Sequence, residues 1–242
     1  MFDFDPKTEP DIYKAAFDEL HRTDRQAEYI KYPRCLPCAL YYLSMRNIYS
    51  YKLMDKVLDI EFIKEIFGKD VSIDVECPDY KGKRLPLELR HKAAKWLTDF
   101  APEHEQPKKI TAADKLFLDT VDTIKEIVKD EKLISSKHSS QFSDIILCKD
   151  KETGKFIQPR GFENYILGDV MFPLNDGSLQ WLAVVILGWN NTFRESSLPL
   201  GNIIMKERQL KKIGYTPVFV IWYEFMSLSR EDQIAYVSKK IN

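Results

Sequence analysis

An unbroken apolar run from Trp181 to Leu187 constrains this chain more than any other feature. It is far shorter than the roughly 18–20 residues that a membrane-spanning helix needs, and it lacks the alternation of a strand with one wet face. It reads as a buried strand. An amphipathic pattern from about Gly201 to Ile213 follows, closed by Gly214, and then a second apolar run, Val218 to Trp222. A helix lodged between two apolar strands favours a crossover unit and a partly parallel sheet. Strands are also predicted at Asp144–Lys149, at Lys155–Gln158 as the return arm of a hairpin turning at Lys151–Gly154, and from Asp169 to Phe172. A last helix spans Arg230 to Ile241 with Ser229 as N-cap.

Upstream the periodicity is helical. Ile12, Ala16, Phe17 and Leu20 share one face; Leu40, Tyr42, Leu43 and Met45 another; Leu53, Val57, Leu58, Phe62, Ile63 and Ile66 a third, with Gly68 as its C-cap. These read as helical hairpins. The stretch from Asp74 to Pro86, with two prolines and a glycine, cannot continue a helix and forms a connector near 71–86. Helix resumes from Leu87 to Phe100, a linker near 101–109 contains Pro102 and Pro107, and a further helix runs from Ala112 to about Lys132. The segment from Ser135 to Ser140 marks the change to strands. The fold class is therefore α+β, a helical region at 1–134 followed by an α/β domain at 141–242.

Hydrophobic residues at 44% and charged residues at 30% exclude a disordered chain, and 36 basic against 37 acidic residues leave any polyanion contact to local clusters. Cys35, Cys38, Cys77 and Cys148 are expected to be free thiols in a reducing compartment. Cys35 and Cys38 form a lone CxxC. It lacks the second pair a zinc site needs and the strand–helix setting of a thioredoxin motif, so both are expected to be small buried residues at a helix start. Walker A, GxGxxG, HExxH and GxSxG patterns are absent, and glycine is scarce. The acidic amino-terminal residues show no secretory or organellar targeting segment in this chain.

Chemistry concentrates after Leu198. Lys206, Arg208, Lys211 and Lys212 crowd one helix, and Trp189, Asn190 and Asn191 follow the Trp181–Leu187 strand, the loop position where α/β sheets commonly bind ligands. Lys206, Arg208, Leu210, Gly214 and Tyr215 on the helix, with Tyr223, Glu224 and Phe225 after the next strand, resemble the RAP domain of the FAST kinase domain-containing family. Leu40–Arg46, Leu53–Val57 and the Asp74–Pro86 connector resemble the helical FAST modules that precede it. The resemblance implies a restriction-endonuclease-like fold for 141–242, FAST-like hairpins for 1–134, and a mitochondrial matrix address. It also implies that the chain is the C-terminal portion of a longer protein.

RAP domains carry acids near the end of the strand that here is Trp181–Leu187. Aligned on Gly188, Val185 and Leu187 stand in their place, so that metal clamp is missing. The resemblance thus implies a non-catalytic RNA-binding protein acting in transcript processing or stability, with no cofactor and no metal site. Its expected partners are single-stranded mitochondrial transcripts and RNA-processing proteins, without membrane insertion. The expected contacts are Lys206, Arg208, Lys211 and Lys212 with phosphates, Trp189 and Tyr215 with bases, Asn190 and Asn191 beside them, and Lys81, Lys83 and Arg84 of the connector as a second cationic cluster. Two rivals stand beside it. One is a ribonuclease using Mg or Mn, with Asp169, Glu163 and Lys206 as its catalytic candidates; the other is a scaffold for RNA-processing factors.

Overall fold

Each residue from Trp181 to Leu187 is buried, because the strand they form is covered on both faces. Alternate side chains point to opposite layers. Leu182, Val184 and Ile186 join a core with Ile145, Leu147, Val218 and Val220, whereas Trp181, Ala183, Val185 and Leu187 join a second core with Ile203, Leu210 and Tyr215. The computed structural model describes residues 6–32, 34–59, 61–63, 112–136, 144–160, 172–174, 177–193 and 196–242, and the chain divides into two units, 1–96 and 97–242. The predicted strand from Asp169, the helix Leu87–Phe100, the connector near 71–86, the linker near 101–109, Gly68 and Cys77 lie outside the described residues.

In the second unit five strands form one sheet: β1 (Ile134–Ser136), β2 (Asp144–Asp150), β3 (Phe156–Ile157), β4 (Leu179–Leu187) and β5 (Thr216–Ile221). The order is β1-β2-β4-β5, and β3 pairs with β2. β2 runs antiparallel to β4, with Asp144 opposite Val185 and Asp150 opposite Leu179. β4 and β5 are parallel, Leu182 opposite Thr216 and Leu187 opposite Ile221. Their connection carries a helix, Gly201–Ile213, with the bounds the periodicity predicts. The hairpin predicted at Lys151–Gly154 is also present: Gly154 takes φ +67°, and Gly154 N–H donates to Asp150 O at 2.9 Å.

The first unit contains α1 (Ile12–Leu20), α2 (Gln26–Lys31), α3 (Cys35–Met45) and α4 (Tyr51–Val57). Asp11 caps α1 by accepting from the N–H groups of Tyr13 and Lys14, and Ser50 caps α4 by accepting from Leu53 N–H. Tyr29, Leu36, Leu40, Leu53 and Phe62 make the core. Half-buried His21 ties α1 to the cap of α4: Nδ1 lies 2.7 Å from Phe17 O and Nε2 2.8 Å from Ser50 Oγ. The third predicted helical face is broken, because Asp59 starts a new turn by accepting from the N–H groups of Glu61 and Phe62, which leaves Leu58 exposed.

The second unit continues with α5 (Ala112–Val128), α6 (Gly201–Ile213), the short turn α7 (Trp222–Phe225) and α8 (Arg230–Ile241). Helical periodicity alone groups α5 with the helices before it, yet its Leu116, Phe117, Val121 and Ile124 pack into the sheet core beside Val237 and Ile241 of α8. Arg230 reinforces that pairing by donating from Nη1 to Thr123 Oγ1 at 2.7 Å and by an ion pair with Glu126. α5 stops at Val128, earlier than predicted, because Lys129 takes the left-handed conformation at φ +59°; a single turn and β1, which the helical reading does not contain, follow. Likewise β5 ends at Ile221, and Trp222 opens a helical turn instead of closing the strand.

α8 is fixed at its far end by Lys149, a buried lysine on β2. Its ammonium donates to Ile241 O at 3.2 Å and Asn242 Oδ1 at 3.3 Å, and lies 5.1 Å from the Phe156 ring centroid. Terminal carbonyls of a helix lack intrahelical donors, so a cation there both satisfies them and meets the negative end of the dipole. α6 ends by a different device. Gly214 takes φ +106°, its N–H donating to Lys211 O, and the Tyr215 N–H returns to Leu210 O. A Cβ at Gly214 would stand 3.0 Å from Pro173 Cγ. Gly214→Ala is therefore expected to destabilise the second unit by about 1–2 kcal/mol, measured as a lower urea midpoint at unchanged slope.

Candidate nucleic-acid interface at the strand ends

Because β4 and β5 are parallel and in register, their carboxyl ends lie together, Leu187 beside Ile221. The chain leaves β4 through Gly188 into a turn closed by Asn191 N–H donating to Gly188 O at 2.9 Å. Leu200 N–H then donates to Asn191 O, and a bridge between Thr192 and Pro199 draws the loop against the start of α6. At the tip Trp189 is 67% exposed, with Asn190 exposed and Asn191 half-buried. An indole held in water costs burial energy a core position would recover, which makes the site notable. In the first turn of α6, Asn202 Oδ1 is shielded from water and has no hydrogen-bond partner among the described residues. No sequence pattern marked Asn202, since its isolation depends on packing.

Beside this loop, α7 carries Tyr223 and Glu224 at the carboxyl end of β5. Glu224 is held from below. Its Oε2 accepts from the Tyr236 hydroxyl at 2.8 Å, and Lys240 Nζ stands 3.8 Å away while donating to Phe219 O at 2.9 Å. The Tyr236 oxygen also accepts from Ile221 N–H at 3.3 Å, so one phenol joins the last residue of β5, α7 and α8. Burial, and next the hydrogen bond to Glu224, push the Tyr236 hydroxyl well above its ordinary value of 10.0; burial pulls the Lys240 ammonium down from 10.5, and nearby Glu224 opposes this. Glu224 thus anchors the aromatic turn.

The four predicted helix cations do not form one patch. Lys206 lies three residues after Ile203 and four before Leu210, on the sheet-facing side of α6, and is half-buried, as is Arg208. Lys211 and Lys212 are exposed in the last turn, where Lys211 pairs with Glu207 at 2.6 Å. At 1.5 Å per residue Lys211 lies about 15 Å along the helix from Gly201, away from Trp189. Tyr215 corrects the stacking assignment: it is 5% exposed and packed between α6 and the sheet, out of reach of a base. Val185 and Leu187, 2% and 0% exposed, face the α6 core, so the positions aligned with the family's acids open onto packed apolar side chains. Glu163, Asp169, Lys81, Lys83 and Arg84 lie outside the described residues. Among those described, no three His, Cys, Asp or Glu side chains come together as a metal site, and no helix is long and apolar enough to cross a membrane.

A helix-flanked mixed sheet with an exposed aromatic loop at the end of its parallel pair defines the class: an α/β module whose parallel strand ends lie where such sheets commonly bind ligands. No protein-family model matches the chain, and no solved structure matches it significantly. Among curated proteins it is similar to "FAST kinase domain-containing protein 5, mitochondrial" from Macaca fascicularis, 28% identical over 127 residues, 48% of this chain and 16% of that protein. The protein of that name from Homo sapiens is 25% identical over 149 residues, 57% of this chain and 19% of its own length, and the one from Mus musculus 28% identical over 115 residues. The chain is thus similar, over about half its length, to mitochondrial proteins of the FAST kinase domain-containing family. It spans less than a fifth of the length of these relatives.

Linkage fixes a pH test of the Tyr236 network. A raised folded-state value means that the contribution of Tyr236 is fully present below its unfolded value of 10.0 and is lost as pH rises above it. Lys240, with a depressed value, adds stability as pH rises towards 10.5, so the comparison must be between variants. Tyr236→Phe leaves Glu224 and the Ile221 N–H without this partner and is expected to cost about 1–3 kcal/mol at pH 7. Urea denaturation at pH 7 and near pH 10.5 should show that cost shrinking at the higher pH.

Proposed function

We propose that this chain belongs to a mitochondrial RNA-binding protein, that residues 141–242 form a RAP-like domain of restriction-endonuclease-like descent, and that it holds single-stranded RNA without cutting it. The observation that carries the reading is Trp189, exposed at the carboxyl end of β4 where the parallel pair opens. A base can stack on this indole, and stacking needs no particular sequence. Exposed Lys211 and Lys212 at the other end of α6 supply charge for the phosphates of the same strand, with Lys206 and Arg208 between them. The apolar surroundings of Val185 and Leu187 support binding over cleavage, because metal-assisted hydrolysis needs acids there or migrated ones elsewhere.

Filter binding of single-stranded RNA tests this. Affinity should fall with salt, with a slope of about −0.7 for each phosphate contacted. Trp189→Ala should weaken binding roughly 5- to 150-fold, the effect of removing about 1–3 kcal/mol of stacking, with little change in the salt slope. Charge reversal at Lys211 and Lys212 should flatten the slope. Weak, salt-independent binding would remove the reading, and cleavage of labelled RNA in Mg or Mn that is lost in Asp169→Asn would replace it with a nuclease.

A further inference from the structure

The CxxC of the first unit does not occupy the core. Both Cys35 and Cys38 are exposed thiols at the start of α3, whereas Leu36 at 0% and Leu40 at 4% exposure turn into the core on the other side of the helix. The correction to the sequence expectation follows from helical spacing. Residues three apart share a face, so the face that buries Leu36 and Leu40 sends the two sulfurs together into water. We infer that Cys35 and Cys38 form a reversible dithiol–disulfide site, oxidised by exchange with a low-molecular-weight disulfide.

Three features of α3 permit it. Cβ atoms three residues apart on a helix stand about 5–6 Å from one another, and a disulfide needs about 3.5–4.5 Å, so closure requires a movement of only about 1–2 Å. The first turn of a helix yields cheaply, because its N–H groups have no intrahelical acceptor. Of the groups there, Cys35 N–H donates to Tyr32 O at 3.0 Å and Cys38 N–H to Arg34 O at 3.2 Å, both outside the helix's own ladder of bonds, and Pro37 between the cysteines has no N–H to lose. Finally, Leu36 and Leu40 are on the far side, so drawing the sulfurs together leaves the core packing in place. Cys35 also lines an apolar groove of about 520 Å³ bordered by Tyr13, Tyr32 and Tyr42, through which a small reagent reaches it.

The exchange balances without a metal. One cysteine, as thiolate, attacks a sulfur of the small disulfide; that S–S bond breaks and one small thiolate leaves, taking a proton from water. The second cysteine, after losing its proton, attacks the sulfur of the first cysteine; the mixed S–S bond breaks, the internal disulfide forms, and the second small thiolate leaves and takes up a proton. Two protein thiols are oxidised by two electrons, and one disulfide is reduced to two thiols.

Oxidised glutathione provides the test on the native full chain. After incubation, thiols are alkylated and the chain is cut with trypsin, which releases Cys35 to Arg46 as one peptide containing both cysteines. The expected product is that peptide about 2 Da lighter and unalkylated, regaining two alkyl groups after dithiothreitol. Buried Cys148 should remain unmodified by glutathione, which reports that the second unit is folded. Cys35→Ser and Cys38→Ser should each accumulate a glutathione adduct on the remaining cysteine, which the wild type resolves. A wild-type peptide that stays doubly alkylated, or that accumulates glutathione adducts without the internal disulfide, overturns the proposal.

Discussion

The covering of β4 on both faces is the constraint from which the second unit follows. A strand buried on one side tolerates polar residues on the other; this one takes seven buried positions in a row, so it needs a helical layer above and below. α6 supplies one layer, and α5 with α8 supplies the other. The parallel pairing with β5 then follows from chain length, because α6 lies in the connection and returns the chain to the same end of the sheet. Both carboxyl ends, and therefore Trp189 and the α7 turn, are placed together by that single crossover.

Polar groups hold the layers in register where apolar packing cannot. Lys149, Arg230 and Tyr236 each tie α8 to a different neighbour: the central β2 strand, α5, and the end of β5. Such bonds contribute modestly when satisfied, and a buried donor such as Lys149 costs more when orphaned, so they select one arrangement of α8 over neighbouring ones. The Glu224–Tyr236 bond acts at the strand ends. It fixes the aromatic turn that follows β5, at the same end of the sheet as the exposed indole.

The family resemblance and the curated relatives agree on FAST kinase domain-containing proteins, while the geometry bears on mechanism. Metal-assisted hydrolysis needs acids where the metal would sit. Here Val185 and Leu187 are packed against α6, and a carboxylate at either would be buried without a partner, at a cost of several kcal/mol. The exposed Trp189 stands apart from these packed positions. Stacking and phosphate pairing, unlike metal-assisted hydrolysis, need only surface groups.

The sequence by itself determined the elements whose signals are local. α6 and its Gly214 terminus, α8 with its Ser229 cap, the turn at Gly154 and the buried strand β4 are legible because a cap, a left-handed glycine or an apolar run acts within a few residues. Only the tertiary structure decided the rest. It moved α5 into the sheet's core, because periodicity shows that a helix has an apolar face but not which surface receives it. It buried Tyr215 and turned Cys35 and Cys38 outward, since tyrosine and cysteine suit either environment and neighbouring leucines settle which face goes in. It also set Lys211 and Lys212 about a helix length away from Trp189, a separation that a linear cluster of cations cannot display.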